Sequence, residues 1–506
     1  MSKSFITLFI FLIGACALAG QRYDPDNPPQ GLFDEQWMEV YLSGQKAGYF
    51  HSTIRREGEL IISSDSMVMS IRRGATSLSF RTTEQSVESI TGEPHAFQLL
   101  IDMAGQPITT QGTIEDGQIS QVTEQFGNVQ RTTAPYPEGA LMAWGLNRKM
   151  MNLPLRPGTE TSVKMFSPSM STTTAAAAQY RVLRRERIDV QGKNVEAWRT
   201  ELDTEIGGTS LVTTVWVDED KRILKNEVNI MGMPMMLVAT DEATALASFL
   251  PAEIFETNLV SLGTSISRQA KEVVYEVKLT NPEAMARGIP QDAYQRVEPE
   301  GPGQYLVTVK RADHAALNNA GLTQPELMAD FLSSNLVLDT EDAALRDLAS
   351  QALGKSESTS PKEKADQLRR FVTEFIEEKN LTVGFATASE VARTQQGDCS
   401  EHAVLLAALG RIHGIPSRVA AGLLYMPRFP LADGEMVDDV MGYHMWTQFY
   451  LDGRWVDFDA AQDESECAPT RLILMTSSLR ESSITEIGLE LINLIGQIQV
   501  TVKAVR

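Results

Sequence analysis

The sequence predicts a multidomain protein: a large antiparallel β domain, a small β-rich middle unit, and a C-terminal α+β domain. Three observations carry that reading. A chain of 506 residues exceeds what one hydrophobic core ordinarily organises. Residues 31–250 alternate apolar and polar positions in short runs broken by turn pairs, the pattern of half-buried strands. From about residue 323 the period changes, and apolar stripes at helical spacing precede the last strand-like runs.

Hydrophobic residues make up 42% of the chain and charged residues 22%, a globular rather than disordered balance. The formal charge of -21 argues against a general nucleic-acid binder, because phosphate binding needs a basic surface. At the N-terminus, Lys3 precedes an apolar run over 5–13 and small residues follow. That is the order of a secretory signal, too short to span a bilayer as a mature helix. Two processing readings stand side by side. Ala17-Leu18-Ala19 is an A-x-A site that ends a signal peptide of residues 1–19 and releases a soluble protein. Ile13-Gly14-Ala15-Cys16 resembles a bacterial lipobox, which makes a lipidated Cys16 the membrane attachment and residues 21–30 its tether. Either way, the expectation is export to a bacterial cell envelope or periplasm.

In the β domain, Trp37–Leu42, Ser77–Arg81 and Ser210–Val217 read as strands, and Ser43-Gly44, Asp116-Gly117 and Gln191-Gly192 as hairpin turns. One helix is expected near Glu138–Met151, and the four methionines between Met231 and Met236 read as core packing. Residues 255–315 form the middle unit, with Lys271–Leu279 and Gln304–Val309 as strands around a Pro299–Gly303 turn. His51, His95 and His314 are isolated and read as surface or satisfied structural histidines.

In the last domain, residues 323–506, Ser360-Pro361-Lys362-Glu363 is a capping box with proline at the first helical position. The helix it opens carries Leu368, Phe371, Val372, Phe375 and Ile376 as one stripe. A second helix runs from Cys399 to about His413 and stops at Gly414-Ile415-Pro416; Arg418–Tyr425 then reads as a buried strand.

The chemistry lies here. Gly397-Asp398 makes a turn, so Cys399 falls in the first helical turn, where unpaired N–H groups and the helix dipole favour a thiolate and can hold an oxyanion. Tyr443–Leu451 and Arg454–Ala461 are strand-like runs separated by Asp452-Gly453, a type I′ turn pair. That loop sets Leu451 against Arg454, Tyr450 against Trp455 and Trp446 against Asp459. His444 and Asp459 then share a face as diagonal neighbours, with Cβ atoms about 7 Å apart, and Asp457 lies one pair further off. Cys399, His444 and Asp459 are the candidate triad: nucleophile, general base and orienting carboxylate. His402, three positions after Cys399, is a weaker base because no carboxylate orients it; His413 reads as a helix C-terminal residue, and Gln395 or Gln396 as oxyanion-hole aids. The other cysteine of this region, Cys467, could pair with Cys399, but the motif favours a free thiol at Cys399 and a packing role for Cys467. No C-x-x-C or H-E-x-x-H spacing points to zinc, so neither a metal nor another cofactor is expected.

Four blocks in this order resemble the transglutaminase-like superfamily, whose fold is related to papain-like cysteine proteases: Gly397-Asp398-Cys399, Gly414–Arg418, His444-Met445-Trp446 and Trp455–Asp459. The resemblance covers roughly residues 323–506 and maps the family's triad onto Cys399, His444 and Asp459; Met445 departs from the small residue more often found there. It implies acyl transfer on a protein or peptide substrate, by a protease, amidase or transglutaminase. A calcium loop of the kind some animal relatives use is not identifiable. The competing reading is an envelope scaffold that binds peptides with the same fold and catalyses nothing.

Overall fold

The computed structural model describes residues 23–506 except 318–327, 355–359, 378–385, 480–493 and stretches of one to three residues elsewhere. The signal segment, Cys16 included, therefore lies outside the described residues. Two compact units emerge among the described residues, one of residues 23–72 with 77–252 and the other essentially residues 253–506. Among the described residues no helix is long and apolar enough to cross a membrane.

The first unit is the large β-rich region. Its strands pair as successive hairpins from Asn128–Pro135 back to Gly31–Leu42, which pairs antiparallel with Met233–Thr240. The sheet then continues back through the later strands to Glu160–Met165 and Ala140–Leu141. Local turn chemistry explains the hairpins. Ser43-Gly44, Asp116-Gly117 and Gln191-Gly192 all have φ between 48° and 81°, the left-handed pair a type I′ turn needs. One face buries Met38, Val40, Phe50, Met235 and Leu237. The helix begins at Ala143 rather than near 138, since Ala140–Leu141 is taken up as a short strand; it ends at Met151 and buries Trp144 completely. Met235 joins the core as expected of that cluster, whereas Met231 falls outside the described residues.

In the second unit, Glu272–Leu279 sits between Gln304–Lys310 and the C-terminal strand Ile498–Val505, with Gln295–Gly301 at the far edge. Its residues Tyr275 and Val277 share one buried cluster with the helices and main sheet of the C-terminal region. Besides the short helix Ala329–Leu332, the helices among the described residues of this unit are α1 (Ala343–Leu353), α2 (Pro361–Phe375), α3 (Ala388–Thr394) and α4 (Cys399–Ile412). As the sequence predicts, the Ser360 side chain caps α2, and Leu368 and Val372 are wholly buried. The main sheet carries β1 (Ser417–Pro430), β2 (Met436–Leu451), β3 (Arg454–Phe458) and β4 (Arg471–Ser477). β1 lies between β4 and β2, and β3 pairs with the other edge of β2. Helix α4, apolar on nearly every side, packs across β2; a Cβ on Gly410 would lie 2.2 Å from the Phe449 ring, so glycine permits this approach.

Candidate active site

Helix α3 ends at Gln395, which is left-handed with φ 57° and donates its N–H to Val391 O. Gly397 follows at φ 150°, and a Cβ there would sit 2.2 Å from Glu401 Cβ. Only glycine fits that turn without a shift. Asp398 is the N-cap of α4: its carboxylate accepts from Ser400 N at 2.9 Å, and Glu401 reaches back to Asp398 N at 2.9 Å. Glu401 also accepts from Ala386 N at 2.9 Å, tying the helix start to the segment before α3. Cys399 is therefore the first residue of a helix fixed on two sides, half-buried at the edge of the core. Burial, with the neighbouring Asp398 carboxylate, pushes the Glu401 carboxyl up toward the neutral acid. A neutral Glu401 opposes a thiolate at Cys399 less than a charged one would.

The β2–β3 hairpin takes the register set by its turn. Asp452 and Gly453 have φ of 53° and 76°, and Leu451 pairs with Arg454, Tyr450 with Trp455 and Gln448 with Asp457. Pairing stops at Thr447 and Phe458, so Asp459 leaves the strand one residue beyond it. There its Oδ2 lies 2.8 Å from His444 Nε2. Asp457 is occupied elsewhere on the same face, with its Oδ1 accepting from Trp446 Nε1 at 2.7 Å and from Gln448 Nε2 at 2.8 Å. The His444 ring stacks on Trp446 at a centroid distance of 6.0 Å. With Nε2 donating to the carboxylate, Nδ1 is the ring nitrogen left for proton exchange.

The sequence reading missed a residue here. Arg471, at the start of β4, is 1% exposed, as is Asp459, and its Nη2 and Nε donate to Asp459 Oδ2 at 2.7 and 3.2 Å. Its Nη1 reaches Glu464 Oε2 at 3.1 Å. The available signal was a lone arginine opening the apolar run Leu472–Met475, which needs a buried anion. Burial alone would raise the Asp459 carboxyl, but His444 and Arg471 together hold it well below the ordinary carboxylate range.

The other candidates fall into place around this pair. His402 is buried in α4 with Nδ1 2.6 Å from Asp398 O, bound into its own helix turn. His413 ends α4 as expected, with Nε2 2.9 Å from Ala349 O, and burial lowers its proton affinity. Neither Cys399 nor Cys467 is in a disulfide; Cys467 is buried, which pushes its thiol up. His51 pairs with Glu35 at 2.8 Å, and His95 is exposed. His314 departs from the satisfied histidine expected: it is 3% exposed against the Phe458 ring, and neither ring nitrogen has a hydrogen-bond partner. Among the described residues no group of three or more His, Cys, Asp or Glu side chains could hold a metal ion.

Comparison with known proteins gives a family for part of this unit. The model of the Transglutaminase-like superfamily matches residues 346–460, a span that includes Cys399, His444 and Asp459. No curated protein matches. Similar solved structures include a presumed cysteine protease of Cytophaga hutchinsonii, 16% identical with a TM-score of 0.28, covering 41% of this chain and 80% of that one. A β-barrel-like protein of Brucella abortus, from a domain of unknown function, is 10% identical with a TM-score of 0.32, covering 41% of this chain and 95% of that one. Neither likeness is close enough to extend the assignment.

Proposed function

Residues 346–460 being a transglutaminase-like domain, we propose that the chain is an exported thiol enzyme acting on peptide or amide bonds through a Cys399 thioester, hydrolytic rather than cross-linking. The observation that carries this is the buried His444–Asp459 hydrogen bond at 2.8 Å, formed on the strand against which the Cys399 helix packs. A histidine held by one nitrogen to an anion keeps its other nitrogen for proton exchange.

In this reading His444 Nδ1 takes the Cys399 proton, and Sγ attacks the substrate carbonyl carbon. The Cys399 N–H at the start of α4 serves the oxyanion in this reading, because the N–H groups of Ser400 and Glu401 are held by the Asp398 carboxylate. Collapse of the intermediate breaks the C–N bond, and the imidazolium gives its proton to the leaving amine. Water, deprotonated by His444, then attacks the thioester, releases the acid and restores the thiol. A primary amine in place of water would give a cross-link, but water needs no second binding site. Export follows from residues 1–19, with Cys16 as the lipid-bearing alternative; a protein or peptide of the cell envelope is the substrate this location offers.

The test is the rate of iodoacetamide alkylation at pH 7, read peptide by peptide by mass spectrometry. Cys399 is expected to react about tenfold faster than a model thiol, and His444→Ala to remove that advantage. Buried Cys467 serves as an internal control. A Cys399 no faster than the model thiol would sink the enzyme reading and leave the peptide-binding scaffold.

A further inference from the structure

The carboxylate that orients His444 is itself held, and by more than the histidine. Asp459 Oδ2 accepts His444 Nε2 and two nitrogens of Arg471, while Oδ1 accepts Ala461 N at 3.0 Å. Both Asp459 and Arg471 are cut off from water. The charged and titratable groups around the carboxylate are His444 from β2, Arg471 from β4, Asp457 from β3, and Glu464 and Cys467 from the segment joining β3 to β4. Arg471 is the only cation among them whose charge does not depend on pH in the working range.

We propose that Arg471 is a positioning residue that keeps Asp459 an anion and so keeps His444 in the tautomer whose open nitrogen serves Cys399. This rests on the thiol-enzyme reading above. A buried carboxylate without a cation takes up a proton. A protonated Asp459 would donate to His444 Nε2, forcing the neutral ring to carry its hydrogen on Nδ1. The ring would then present a donor where the thiol needs an acceptor. A histidine partner alone gives weak protection, because a neutral imidazole brings no charge to stabilise the carboxylate. Arg471 supplies that charge in both states of the ring, and its two nitrogens on Oδ2 together with Ala461 N on Oδ1 hold the carboxylate in place. Glu464 balances part of the guanidinium charge through Nη1. The cluster of Arg471, Asp459, Glu464 and a neutral His444 carries one net negative charge. It becomes neutral when His444 accepts the thiol proton, so the proton is drawn toward the ring.

Two measurements test this, and they fail independently. In the first, Cys399 alkylation is followed from pH 4 to 9. Arg471→Met should move the acid limb up by about one pH unit or more, while Arg471→Lys should restore most of the wild-type limb. The double variant Arg471→Met with Glu464→Gln removes the ion pair together, guards against a misfolded single variant, and should show the same upward shift. Loss at all pH values without a shift would make Arg471 merely structural and overturn the proposal. In the second, nitrogen-15 NMR reads the His444 tautomer at pH 8 in Cys399→Ala protein, where no thiol chemistry is involved. The ring should carry its hydrogen on Nε2, and Arg471→Met should move it to Nδ1. An unchanged tautomer would overturn the proposal even if Cys399 is a nucleophile; a correct tautomer with an unreactive Cys399 would overturn only the enzyme reading.

Discussion

Glu88 of the β-rich unit and Asp459 of the C-terminal unit are equally buried carboxylates with opposite fates. Glu88 is 0% exposed and accepts from Trp144 N at 2.6 Å, Gly145 N at 2.9 Å and Ser86 Oγ at 3.1 Å. Those two amides open the Ala143–Met151 helix, so the glutamate caps it from a distant strand. Yet burial pushes its carboxyl up to about 7, against the pull of all three donors. Glu84 is pushed up in the same way despite Ser167 and Ser169. Asp459 has a similar number of donors and is driven the other way, because two of its partners are His444 and Arg471. Neutral hydrogen bonds do not repay the desolvation of a buried anion, and cations do. The two units therefore use the same chemical group for different ends: a proton-holding cap in one, a permanent charge in the other.

The largest expected effect contrasts these two directly. Asp459→Asn keeps the shape but puts a neutral amide against the ring, so an imidazolium at His444 would form with no anion hydrogen-bonded to it. Turnover of a peptide amide is expected to fall roughly 10³- to 10⁴-fold, the scale of losing the orienting charge of a nucleophile–histidine–carboxylate triad. Glu88→Gln should leave turnover unchanged and cost the β-rich unit about 1–3 kcal/mol, because one amide of the helix start meets a donor instead of an acceptor. Comparable losses of turnover in the two variants would break the comparison.

Acid should then act on the two units in opposite directions. Between the ordinary glutamate value, about 4.3, and its folded value near 7, Glu88 holds a proton that the unfolded chain has released. Its contribution to stability is full below that window and is lost as pH rises through it, about 4 kcal/mol in all. Asp459, with a lowered folded value, contributes above the ordinary aspartate value of about 3.9 and loses that contribution as pH falls below it. Calorimetry of the full chain should show the melting transition of the β-rich unit falling by roughly 5–10 °C between pH 5 and pH 8. Glu88→Gln should flatten that slope, which separates it from the general repulsion of a chain with a formal charge of -21.

What the sequence disclosed follows the same division between local and distant causes. The pairing of β2 with β3 was legible because the two residues Asp452-Gly453 fix it, and every pair downstream inherits that register. Ser360 announced its helix because a cap acts within three residues, and the Gly397-Asp398 turn placed the start of the next. Arg471 was not legible, since its partner is set by how β4 lies beside β1, and no local rule fixes that approach. The same is true of Ile498–Val505, which completes a sheet with Glu272–Leu279 from the other end of the unit. His314 was misjudged because the sequence shows that a histidine is isolated, not whether its nitrogens find partners once buried.

The smallest effect is the one that most sharpens the choice of carboxylate. Asp457 is two residues from Asp459, on the same face and half-buried, so a one-pair error in register would exchange their roles. Its surroundings are those of Glu88 rather than of Asp459. Burial pushes its carboxyl up, the nearby Asp292 carboxylate adds to the push, and its direct partners are the neutral Trp446 indole and Gln448 amide. The Gln448 amide also donates to Asp292 at 2.9 Å, so both acids share one neutral donor. Asp457→Asn keeps an oxygen for Trp446 and Gln448 while relieving the repulsion from Asp292. Turnover should fall less than about tenfold, because one neutral–neutral hydrogen bond exchanged for another is worth about 1 kcal/mol. If this variant instead lost as much as Asp459→Asn, the charge that orients His444 would belong to Asp457, and the contact at 2.8 Å between His444 and Asp459 would be packing rather than chemistry.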